Sequence, residues 1–161
     1  MIGRQKILDR IADCTDPDKL KNWIANARRE GAEDVEKAAF KQLISIAPSE
    51  APGTVEHDFW QTIHAFEYVL SDERGKTTIL SRTRQKVARV GVEKTLTDWA
   101  LNTKKTEGFT MLLERNMPEL TGEAIILRHP RKFDSDVVSA ARERLHKAGV
   151  DVDLLTRENA S

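Results

Sequence analysis

A single cysteine, Cys14, stands in a chain of 161 residues. No internal disulfide can form, and the composition points towards a reducing compartment. No His or Asn pattern marks Cys14 as a nucleophile, so it reads as a small residue at a helix end. Apolar residues make up 39% of the chain and aromatic ones only 6%, against 32% charged. That balance gives a modest core and a helix-rich globular chain, not a disordered one. No apolar run approaches the roughly 20 residues that cross a bilayer, and the opening Met1 to Lys6 has no apolar signal region. The expectation is a cytoplasmic protein with no membrane partner.

Catalytic and cofactor signatures are also missing. Glycine-rich dinucleotide loops and nucleophile elbows are absent. Gly75-Lys76-Thr77-Thr78 matches the end of a phosphate-binding loop, but the position five before Gly75 is Leu70, where that loop needs glycine. His57 and His64 are seven residues apart, two helical turns, which is too far for one ion without ligands from elsewhere. They read as polar-face histidines. Acidic pairs such as Asp16 and Asp18, Glu33 and Asp34, and Asp72 and Glu73 sit where helix ends would place solvated charge. The sequence therefore assigns no catalytic residue, no metal and no cofactor. An enzyme would need an active site assembled from separated residues.

What remains is a clean punctuation of helical patterns. Ile2, Ile7, Leu8 and Ile11 suggest a first short helix. Asp16-Pro17 is a helix start, an acceptor followed by a residue whose missing N–H costs nothing in the first turn. Leu20, Trp23, Ile24 and Ala27 form one face, and Gly31 ends it. A helix over about 32–46 follows, then the loop from Pro48 to Gly53. Thr54 caps a long helix with Val55, Phe59, Trp60, Ile63, Phe66, Val69 and Leu70 along its buried stripe. A helix from about Thr78 or Ser81 to Val90 and another over about 92–102 meet at Gly91, and Thr106 caps a further one. Glu123 to His129 has three consecutive apolar residues and no second β-rich run to pair with, so it reads as helix. Ser135 is expected to cap the last helix, and the tail from Asp151 to be partly frayed. Trp23, Trp60 and Trp99 all fall on apolar faces. The fold class is all-α, an irregular bundle of eight or nine short helices. It can divide into an acidic, aromatic-rich lobe over 1–72 and a lobe over 73–161 that opens with a basic helix pair.

That basic opening is the main functional clue. From Arg74 to Lys105 there are nine bases and two acids, a net +7 in a chain whose 26 bases and 26 acids cancel. Such local excess favours polyanions. At helical spacing Arg82, Lys86 and Arg89 (i, i+4, i+7) share one stripe with Gln85 beside it, a geometry suited to tracking phosphates. Arg84 and Lys94 are secondary phosphate contacts. Thr97 and Asn102 face outward on the next helix and are of types that read base edges. The segment from Gln85 to Trp99 resembles a helix-turn-helix, with Ala88, Gly91, Val92 and Thr95 in the motif's small, turn, apolar and hydroxyl positions. Ala to Gly and Gly to Thr are each one residue shorter than the motif's usual spacing. The expected function is a non-catalytic, regulatory or accessory association with nucleic acid. The alternatives are a helical protein-interaction module, or a basic stripe neutralised by acids elsewhere in the fold.

Overall fold

In the computed structural model, which describes residues 3–157, every regular element is helical. Ile2 of the expected first helix lies outside these residues. The chain divides into two compact units between Ser49 and Glu50. The break therefore falls in the Pro48–Gly53 loop, and the turn after residue 72 lies inside the second unit. Both this loop and the Asp72–Lys76 turn are candidate seams in the sequence, and charge and aromatic content favour the second. Ties across it hold the two sides together: Ser71 Oγ accepts the Thr78 N–H at 2.7 Å, and Glu67 reaches past it to Arg84.

The first unit holds α1 (Arg4–Asp13), α2 (Pro17–Glu30) and α3 (Glu33–Ile46). Asp16 caps α2 by accepting the Asp18 N–H at 3.0 Å, and Gly31 closes it at φ +72°, a left-handed conformation natural to glycine. Leu20, Ile24 and Ala27 of α2 are buried, as are Val35, Ala39, Phe40, Leu43 and Ile44 of α3 and Ile11 of α1. Cys14 ends α1 with its N–H on the Ile11 carbonyl, and its own carbonyl accepts Gln42 Nε2 from α3 at 2.8 Å.

The second unit holds α4 (Val55–Arg74), α5 (Ser81–Val90), α6 (Val92–Leu101), α7 (Glu107–Glu114), α8 (Gly122–Arg128), α9 (Ser135–Lys147) and α10 (Val152–Arg157). Its centre is α8, in which Gly122 through Leu127 are all buried. A short helix enclosed on every side carries no polar stripe, which explains why the apolar run at 125–127 shows no periodicity. Thr121 caps α8 through the Ala124 N–H at 3.1 Å, while Thr62 of α4 donates to the Leu120 carbonyl at 2.5 Å. Helices α4, α6, α9 and α10 pack around it.

Three local expectations are corrected. The N-cap of α9 is Asp134, with Ser135 as the first helical residue. Within the tail from Asp151, Val152–Arg157 form α10, because Val152 and Leu155 are buried against α8 and α9; residues 158–161 of the expected frayed tail lie outside the described residues. His57 is buried rather than on a polar face, lying 3.6 Å from Asp58 through Nδ1. Asp58 in turn holds His129 Nε2 at 2.7 Å and Arg128 at 3.4 Å, joining the start of α4 to the end of α8.

Packing around α7 is tight enough to make a prediction. A Cβ added at Gly108 would lie 2.5 Å from Cζ of the buried Phe66 ring. Gly108→Ala should therefore cost about 1–3 kcal/mol, the usual range for overpacking, despite alanine's better helix propensity. Urea denaturation measures it, and a stabilised variant would show that the ring moves aside freely.

Candidate nucleic-acid interface

The α5–α6 pair turns on one residue. Gly91 ends the first helix and starts the second at φ +88° and ψ 169°, a conformation that side-chain-bearing residues avoid. Val92 and Thr95 are buried, and the Thr95 hydroxyl donates to the Gly91 carbonyl at 2.8 Å. Ala88 is exposed. The helix-turn-helix likeness thus holds at Gly91, Val92 and Thr95. It departs at Ala88, which does not pack, and in a joint only one residue long.

Helix α5 buries none of its own residues. It packs on α6 and is anchored to α4 by polar contacts. Its N-terminus has no side-chain cap of its own. Glu67 of α4, 13 residues earlier, instead accepts the N–H of the boundary residue Leu80 on Oε2 at 2.8 Å. The same carboxylate takes Arg84 in two bonds, Nε to Oε2 at 2.8 Å and Nη2 to Oε1 at 2.6 Å. The guanidinium lies 5.1 Å from the Trp60 ring centroid, a cation–π contact. Burial alone would raise the Glu67 carboxyl, but the bonds from Arg84 and Leu80 outweigh it and hold it below its ordinary value. The same pairing raises Arg84. His64, one turn before Glu67, is lowered first by burial and then by the Arg84 charge.

The remaining cations divide in two. Lys86 of α5 and Lys94 of α6 both grip Asp98, at 2.8 and 2.9 Å, and together hold its carboxyl below the usual range, Lys86 foremost. Arg82 and Arg89 are exposed, with no acid at ion-pair distance among the described residues, and Gln85 is exposed between them in sequence. No known protein family, curated protein or solved structure matches the chain.

Of the seven residues singled out by sequence, Arg84, Lys86 and Lys94 are thus engaged by carboxylates. Arg82 and Arg89 are open. Thr97 is half-buried. Asn102 is exposed but structurally occupied, since its Oδ1 accepts the Lys104 N–H at 3.1 Å and its carbonyl accepts Arg144 Nη2. Glu67 carries no signal of its contact with Arg84 in the sequence. Its role depends on a chain reversal at Gly75 that brings it to a partner 17 residues later, and no local pattern encodes that.

Proposed function

We propose that this chain is a non-catalytic, nucleic-acid-associated protein, accessory or regulatory, that contacts phosphates through Arg82 and Arg89 of α5. One observation carries the reading. A helix that buries none of its residues keeps two cations, with no ion pair among the described residues, two turns apart on an outward face. Long-range attraction of a polyanion needs charge that the fold has not already neutralised. On that ground Arg84 is an anchor for the helix, and Lys86 and Lys94 are tied to Asp98. Thr97 and Asn102 contribute little to base reading, the first through partial burial and the second through its turn contacts.

Fluorescence anisotropy with labelled 5′-hydroxyl duplex and single-stranded oligonucleotides tests the proposal. Arg82→Ala with Arg89→Ala should weaken binding on the order of tenfold at low salt. Lys94→Ala leaves Asp98 with Lys86 and should change it less than about twofold. Equal loss in both variants would sink the assignment. A protein-interaction role has its own support in the exposed side chains of Ile79, Val90 and Leu101, flanking or within the same helix pair. It predicts no oligonucleotide binding at any salt concentration.

A further inference from the structure

A second basic feature of this unit lies away from α5. The segment 102–106 and helix α9 enclose a cleft of about 570 Å³, within the range of small-ligand sites. Four cations line it, Lys104 and Lys105 from the loop and Arg144 and Lys147 from α9, against one acid, Glu143. Glu143 is paired with Lys147 at 3.0 Å. Lys104 and Lys105 are exposed, with no ion pair among the described residues. The methyl groups of Ala140 and Ala148 supply an apolar wall, with the buried Phe109 behind it.

Arg144 is unusual in how it is held. Nη1 donates to the Trp99 carbonyl at 2.9 Å and Nη2 to the Asn102 carbonyl, both at the end of α6. These bonds fix the guanidinium without neutralising it by a hydrogen-bonded carboxylate. The one acid behind it, Glu123, stands 3.9 Å away, and burial pushes that carboxyl up to about 7, so near neutral pH it is only partly ionised. A fixed cation, two free lysines and an apolar wall suit an anion with an organic body better than a bare ion.

We propose that the cleft between segment 102–106 and α9 is a binding site for a phosphate monoester carried on an apolar or aromatic body. Lys104 and Lys105 close on the phosphate oxygens, Arg144 supplies a positioned donor and charge, and the body rests against the Ala140 and Ala148 methyl groups. The site shares no residue with the Arg82 and Arg89 face, so either can fail without the other.

Isothermal titration calorimetry with the full chain tests it, using adenosine monophosphate, adenosine and inorganic phosphate as probes. Adenosine monophosphate is expected to bind, and adenosine to bind at least tenfold more weakly or not at all. Lys104→Ala with Lys105→Ala should weaken adenosine monophosphate about tenfold or more. Arg82→Ala with Arg89→Ala should leave it unchanged. Oligonucleotides with a 5′-phosphate or a 5′-hydroxyl separate the two sources of such a group. Preference for the phosphorylated end means a nucleic-acid terminus, and no preference alongside mononucleotide binding means a free phosphorylated metabolite. The proposal is overturned if no phosphorylated probe binds at millimolar concentration. It is equally overturned if adenosine binds as well as its monophosphate, or if the lysine variant, folded by circular dichroism, binds like the unaltered chain.

Discussion

Glu67→Ala should detach α5 while leaving the rest of its unit folded. The carboxylate is mostly buried and answers three donors at once, the Leu80 N–H and two guanidinium N–H groups. Its loss leaves Arg84 without a counter-charge and the Leu80 N–H at the start of α5 without its acceptor. A fully buried pair broken from one side costs about 3–5 kcal/mol; Arg84 is about one-third exposed, so about 2–3 kcal/mol is expected here. Because α5 buries none of its residues, there is little apolar contact to hold it once the anchor is gone. Amide exchange over 81–90 should accelerate towards local unfolding, with α8 still protected. Glu67→Gln keeps one acceptor and should fall between the two. The linkage has a definite sign. The carboxyl is depressed in the folded chain, so its contribution is complete above the ordinary value of 4.5 and is lost as pH falls through the lower folded value. Uniform loss of protection in α5 and α8 together would show that the helix is not separately anchored.

Glu123 works in the opposite direction. It is 2% exposed, its Oε2 has no hydrogen-bond partner among the described residues, and Arg144 at 3.9 Å only partly offsets the burial. Its carboxyl is raised from 4.5 to about 7, so between those values the folded chain binds more protons than the unfolded one. Stability contributed by this group is full below the ordinary value and declines as pH rises to about 7, by on the order of 3 kcal/mol. Glu123→Gln carries no titrating proton. The difference between its urea-unfolding free energy and that of the unaltered chain should tilt towards the variant across that window, then level off. Parallel curves from pH 4.5 to 8 would mean that the carboxyl titrates normally. Using the difference removes contributions from other groups titrating nearby, His64 among them.

Most helix ends were legible because they are written locally. Asp16-Pro17, Thr54, Thr106, Gly31 and Gly91 each act within one turn of the chain, and each stands at the boundary expected of it. The helix α10 was missed because its signal is only Val152 and Leu155, one i, i+3 pair that gains meaning when α8 and α9 lie beside it. The basic stripe was legible as a spacing but not as a free charge. Lys86 meets Asp98 across the Gly91 corner, and Arg84 meets Glu67 across the Gly75 turn. Spacing places residues on a face; it does not tell which acids the tertiary fold brings to that face. The same limit hid the 102–106 cleft, whose cations come from two segments some 40 residues apart in sequence.

The central claim, that the fold leaves Arg82 and Arg89 as its free phosphate contacts on α5, is tested most directly by salt dependence. Duplex DNA with 5′-hydroxyl ends should bind with an affinity that falls linearly in log–log form at a slope near −2, since each engaged phosphate contributes about −0.9. The slope should approach zero in the Arg82→Ala, Arg89→Ala variant. A slope near −5 would mean that Arg84, Lys86 and Lys94 leave their carboxylates to join the contact. No binding at low salt, or a slope that survives the double substitution, would contradict the account.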